Sequence, residues 1–237
     1  MKWWTPTACA SESEGTYMNV ILFGATGMVG QGALLECLES PAVDSVLAIG
    51  RRPTGRQHPK LTEILHRDFT DFTPIELQLT GYDACFFCLG VSSLGMKEDE
   101  YRRLTYDFAL AAARTLARPN PNMTFVYVSG SGTDTSEKGS LTWARIKGKT
   151  ENDILAIFPK GYAFRPAYIQ PLKGVKASTT APRVFYLLIG PLYPLLKALI
   201  PRYVTTTVQV GRAMIEVALH GAPKRILENA DINAIPT

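Results

Sequence analysis

The sequence predicts an α/β fold, a doubly wound parallel sheet with a small helical C-terminal elaboration, and three observations carry that prediction. Short β-rich apolar runs alternate with segments of helical periodicity from 17 to 165. A glycine-rich turn, Gly24-Ala25-Thr26-Gly27-Met28-Val29-Gly30, joins the first apolar run to the first helical segment. After Pro171 the alternation stops and a longer apolar stretch begins. Strand–helix alternation marks a parallel sheet covered on both faces, because each crossover must return the chain to the same strand direction.

Segment 17–23 (YMNVILF) is rich in β-branched and aromatic residues and reads as the first strand. A helix follows over 29–38, and Ser40-Pro41 stops it. The second strand, 45–49 (SVLAI), ends at Gly50-Arg51-Arg52-Pro53, and the third, 61–66, is closed by Arg67-Asp68. A short helix over 74–79 precedes a fully buried fourth strand, 82–89 (YDACFFCL). The longest amphipathic helix is 98–116, with Tyr101, Leu104, Phe108, Ala111 and Ala112 along one side. Then come a fifth strand at 123–128, a helix at 141–158 and a sixth strand at 161–165 (GYAFR) before Pro166. Right-handed crossovers give the strand order 3-2-1-4-5-6. Residues 1–16 lack the apolar core of a signal peptide and read as a flexible extension. Residues 17–237 form a single domain, and 172–220, with a helix at 205–219, forms a substrate-side or interface segment.

Apolar residues make up 46% of the chain and charged residues 19%, enough to build a core and too apolar for a disordered tail. The formal charge of +4 is mild and its Lys and Arg residues are spread out, which excludes a nucleic-acid footprint as the first reading. The cysteines are Cys9, Cys37, Cys85 and Cys88. Cys85 and Cys88 are spaced like a redox or zinc pair, but three residues apart on a strand they point to opposite faces. No second pair of metal ligands exists at useful spacing, so no metal is expected. Buried structural thiols and a reducing cytoplasm follow.

The glycine turn has the GxxGxxG pattern of a Rossmann first crossover. Gly24 permits the tight turn, Gly27 lets the backbone approach a pyrophosphate, and Gly30 allows close packing of the helix. Backbone N–H groups at the helix start hold phosphate oxygens, which brings in Thr26, Met28 and Val29 beside the glycines. At the end of the second strand, where an acidic residue would hold the ribose 2′-hydroxyl of NAD, this chain has Arg51 and Arg52. A guanidinium fork suits a 2′-phosphate, so the expected cofactor is NADP(H) rather than NAD(H). Asp68 at the third strand's end is placed at the adenine edge, Leu89 and Gly90 beside the ribose, and Pro166 is counted among the cofactor-binding residues.

These segments resemble a known family. GATGMVG, IGRRP, FFCLG, VYVSGSG, KGKTE, FRPAYIQP and VQVGRAM are similar to the atypical, extended-like short-chain dehydrogenase/reductases, and within them to the Tat-interacting-protein-like oxidoreductases. The resemblance implies NADPH binding and reductase or epimerase-like chemistry. It also implies a serine after the fifth strand and a Tyr-x-x-x-Lys on the next helix. Here Ser129 or Ser131 supplies the serine and Lys147 the lysine, which also holds the nicotinamide ribose. Trp143 stands where the tyrosine is expected, four residues before Lys147. An indole N–H donates a hydrogen bond but does not titrate near neutral pH. Three readings stay open: reduction of a small carbonyl with Lys147 or Tyr168 as proton donor, a cofactor-binding sensor without turnover, or a cofactor-bearing subunit that binds a partner.

Other chemistry is poorly served. Gly130-Ser131-Gly132 is not a nucleophile elbow, and Asp68 and Asp71 read as loop caps rather than a carboxylate pair. The substrate is a small molecule expected between the 91–95 loop and the 167–200 segment. The run 183–201 (RVFYLLIGPLYPLLKALIP) falls short of the ~20 residues a membrane span needs and is broken by Gly190, Pro191, Pro194 and Lys197. It reads as a lid over the cleft, a homodimer face or a membrane-surface contact.

Overall fold

The computed structural model describes residues 17–175 and 190–237; the expected extension at 1–16, Cys9 and the 183–189 part of the apolar run lie outside them. The first strand, β1 (Met18–Phe23), sits in the middle of a sheet with β2 (Val43–Gly50) and β3 (Leu61–Leu65) on one side. On the other side lie β4 (Ala84–Phe87), β5 (Thr124–Val128), β6 (Gly161–Arg165) and a seventh strand, Ile226–Glu228. Every neighbouring pair is parallel. The order 3-2-1-4-5-6 expected from the sequence is therefore present, extended by one strand the sequence reading did not find.

Alternation along the central strands divides the core in two. Val20 and Leu22 of β1, Val46 and Ala48 of β2, and Phe86 of β4 pack against α1 (Met28–Glu39). Ile21, Phe23, Leu47, Ile49, Cys85 and Phe87 face the opposite layer. That layer holds α2 (Glu98–Arg102), a π turn (Arg103–Asp107), α3 (Phe108–Ala117) and α4 (Thr142–Ile157). It is aromatic at its centre: Phe23 lies edge-on to Phe72 at 5.6 Å, and Phe125 stacks on Phe158 at 4.8 Å. Cys85 belongs to this layer while Cys88 packs against the other, so the two thiols face apart. The π turn changes the phase of the long helix: Thr105 is buried and Leu104, expected in the apolar stripe, is only half-buried.

Beyond β6 the chain makes β7 (Tyr168–Gln170), then α5 (Tyr193–Leu199), β8 (Val204–Thr206), α6 (Thr207–His220), β9 (Ile226–Glu228) and α7 (Asn229–Ala234). β7 and β8 pair in parallel as a separate two-stranded sheet. α6 crosses α1 at very close range: a Cβ on Gly32 would lie 2.6 Å from Thr207 Cβ, and one on Gly211 would lie 2.9 Å from Glu36 Cγ. The same crossing encloses the Glu36 carboxylate, which pairs with Arg212 at 2.8 Å and Lys173 at 2.6 Å. A buried carboxylate needs such partners. Here they clamp α1, α6 and the turn after β7 together.

Candidate functional site

The carboxyl ends of β1, β2, β4, β5 and β6 bring the expected site residues to one edge of the sheet. The backbone turns sharply at Gly24, whose φ of 79° favours glycine, and a Cβ there would lie 2.7 Å from the Cys88 carbonyl. Gly30 is tighter: its Cβ would stand 2.0 Å from the Gly24 oxygen, so the first turn of α1 rests directly on the loop. At Gly27 the nearest atom to a Cβ is 3.3 Å away, so packing against the protein alone asks less for glycine there. Gly27 caps α1 with ordinary extended dihedrals, without a side-chain cap and without an acidic residue in the first turn. Its orphan N–H groups and positive dipole end are left for an external anion.

A cleft runs from this loop to the end of β2 and is lined by Gly24, Ala25, Thr26, Arg51, Arg52 and Leu89, among others. Arg51 and Arg52 are exposed and take no carboxylate partner among the described residues. Thr54 and Glu63 also line the cleft, and Glu63 Oε1 accepts from the Thr54 amide at 2.8 Å. Sequence reasoning missed Glu63; the signal available was its place inside β3, beside the strand end that carries the arginines. A dinucleotide fits this outline, with an uncapped helix start for the pyrophosphate and unpaired guanidinium groups at the adenosine end. Gly90 is exposed with open space around its Cα, and Pro166 is buried with its carbonyl accepting from the Ser131 amide at 3.0 Å.

Asp68 is oriented otherwise than an adenine contact requires. Its Oδ1 accepts from the Thr70 amide at 2.9 Å and the Thr70 hydroxyl at 2.5 Å, which holds its carboxyl below the usual range. Asp71 caps Thr73 in the same way at 2.9 Å. Both are loop caps, and neither is among the residues lining the cleft.

On α4, Trp143 and Lys147 share a face by their four-residue spacing. The Trp143 ring lies against Gly132, 3.3 Å from where a Cβ would be. Lys147 Nζ donates to the Ser129 carbonyl and sits beside Gly130. Burial lowers its pKa to about 8 against the opposing pull of Glu151. The Ser129 hydroxyl is held inside the protein. It donates to Glu151 Oε1 at 2.5 Å and lies 3.1 Å from the Phe164 carbonyl. Glu151, fully buried, pairs with Arg165 at 2.5 Å, and Arg165 reaches Glu228 at 3.0 Å. Ser129 thus belongs to a buried ionic network, and Ser131, half-buried on the glycine-flanked loop, is the serine outside that network. Tyr168 donates to Gln170 at 2.7 Å, and burial raises its pKa, opposite to the shift a neutral-pH proton donor needs.

No family model matches the chain. It is 33% identical over 159 residues to "Protein fmp52, mitochondrial" of Aspergillus clavatus, covering 64% of this chain and 66% of that one. It is 26% identical over 155 residues to HTATIP2 of Rattus norvegicus, covering 64% of this chain and 62% of that one. Among solved structures it superposes on the Bordetella bronchiseptica enzyme WbmF, described in complex with NAD+ and UDP. There the TM-score is 0.68 and the identity 16%, over 94% of this chain and 77% of that one. These likenesses agree with the resemblance to the atypical, extended-like short-chain dehydrogenase/reductases, and the superposition shows the Rossmann-type fold. The chain spans just under two thirds of the length of the curated relatives it matches. The cytoplasmic expectation is overturned, because the FMP52 relatives are named mitochondrial. Free thiols report a reducing environment and do not distinguish one reducing compartment from another.

Proposed function

We propose that this chain is a short-chain dehydrogenase/reductase that binds NADP(H) and reduces the carbonyl of a small substrate, with Lys147 delivering the proton, and that it works in mitochondria as the FMP52 relatives' names state of them. The observation that carries this reading is the combination, in one cleft, of the Gly24–Thr26 loop that leads into the uncapped α1 start and the guanidinium groups of Arg51 and Arg52, which have no carboxylate partner among the described residues. A reduced nicotinamide nucleotide held by this cleft would supply the hydride for the carbonyl carbon. Lys147 holds its proton at Nζ at neutral pH, donates it to the carbonyl oxygen, and is close enough to neutrality to be recharged from solvent. Ser131 orients the same oxygen with its hydroxyl. Trp143 walls the site beside Gly132 and takes no part in proton transfer.

Glu63 favours a second cofactor reading. A carboxylate in the cleft repels a 2′-phosphate and accepts from a 2′-hydroxyl, so NAD(H) is the alternative. Glu63→Gln separates the two: a tighter grip on NADPH supports the first, a selective loss of NADH binding the second. Turnover itself is tested by following NADPH oxidation over a panel of small carbonyls. Lys147→Met is expected to abolish turnover while leaving nucleotide binding measurable. Binding without turnover on any carbonyl would make the protein a nucleotide sensor, the reading that Trp143 in the tyrosine position favours.

A further inference from the structure

We infer that the segment from Gly190 to Tyr203 is a docking face for an anionic lipid surface. Three observations carry it. First, α5 has no buried residue, and Leu192, Leu195 and Leu199, spaced three and four apart, form one outward stripe at 48%, 55% and 69% exposure. Ile200 and Tyr203 extend that stripe at 43% each. Soluble surfaces seldom leave so continuous an apolar band uncovered.

Second, the cations beside the stripe are not neutralised. Lys197 lies over the Tyr193 ring at 5.9 Å and Arg202 over the Tyr203 ring at 4.6 Å, and neither has a carboxylate partner among the described residues. Tyrosine beside a basic residue is the pairing that settles at the headgroup level of a bilayer. Third, the chain from Ile154 through Ile215 contains eight Lys or Arg and no Asp or Glu; Arg165, Lys173 and Arg212 among them are taken up by carboxylates from outside the stretch, whereas Lys197 and Arg202 beside the stripe are not. A second copy or a protein partner has no need of such one-sided charge, whereas an anionic membrane attracts it. The helix is far too short to span a bilayer, and no described helix is long and apolar enough to do so, so the contact lies in the interface plane.

The test is co-sedimentation of the full chain with phosphatidylcholine vesicles containing phosphatidylglycerol, beside pure phosphatidylcholine vesicles. Binding is expected only to the anionic vesicles, and to weaken with salt. Neutralising both cations in Lys197→Gln/Arg202→Gln is expected to weaken partitioning about 25-fold, and Leu195→Asp/Leu199→Asp to abolish it. Because all four side chains are exposed, unchanged melting temperature and nucleotide affinity show that these variants keep the fold. Equal binding to both vesicle types, or none, overturns the proposal. So does a dimer in light scattering that Leu195→Asp/Leu199→Asp dissociates while anionic vesicles stay unbound.

Discussion

Two neighbouring glycines of the first loop separate folding from binding. Gly30→Ala places a methyl 2.0 Å from the Gly24 carbonyl oxygen, where ordinary contact begins near 3.4 Å, so the backbone must give by more than an ångström. Overpacking of this kind costs about 1–3 kcal/mol, and the ~1 kcal/mol that alanine gains over glycine in a helix offsets only part of it. Gly27→Ala meets nothing closer than 3.3 Å, and its φ of −79° and ψ of 165° suit any residue. The cost there is a poorer N-cap, about 1 kcal/mol or less, equivalent to roughly 2–4 °C in Tm for a chain of this size. On the proposed binding mode, however, its methyl takes space that the pyrophosphate needs beside the helix start. Loss of one charge-assisted contact, about 1.5–3 kcal/mol, weakens affinity roughly ten- to 150-fold. Thermal melts and calorimetric titration with NADPH measure both quantities. Full NADPH affinity in a folded Gly27→Ala variant would refute the phosphate role of this loop.

The pH dependence of turnover should follow Lys147. With its pKa near 8, the rate falls about tenfold per pH unit above that value in a steady-state profile, and a flat profile to higher pH excludes it as the donor. The same shift has a stability consequence. Its folded pKa lies below the ordinary 10.5, so the unfolded chain binds more protons between the two values, and native stability gains as pH rises from about 8. In denaturant titrations across that window the stability difference between wild type and Lys147→Met should shift in favour of wild type as pH rises; a constant difference would contradict the shift. Ser129→Ala should lower stability by about 1–3 kcal/mol, because it strips a hydrogen bond from buried Glu151, and should leave kcat nearly unchanged. A large loss of kcat without loss of stability would return Ser129 to the catalytic role. Glu151→Ala, which leaves Arg165 without its buried partner, should cost about 3–5 kcal/mol by urea unfolding.

The six central strands and the loop were legible because each strand is a buried apolar run and the glycine spacing is tied to a strand–helix junction. The later strands were not. Tyr168–Gln170, Val204–Thr206 and Ile226–Glu228 are three residues each, too short for any period to show. Gly32 and Gly211 read in sequence only as weak points in helices, yet they permit the α1–α6 crossing, a long-range fact no local pattern contains. Glu36 and Glu151 sit in helices where glutamate reads as surface. Glu151 still left a trace: four residues past Lys147, it shares the helical face that carries the site, and it is what draws Ser129 inward. Arg51 and Arg52 were legible by position alone, while Glu63 needed the register of β3 against β2, where it pairs with Ala48.

Nucleotide binding at the α1 loop, with the arginines reading the adenosine end, underlies every role assigned to the site. Calorimetric titration of the full chain and of Arg51→Ala, each with NADPH and NADH, tests it most directly. Tight NADPH binding that Arg51→Ala weakens by about 1.5–3 kcal/mol, with NADH binding little changed, is the predicted result. Equal losses for both nucleotides would remove the 2′-phosphate role, and no heat with either would contradict the site itself.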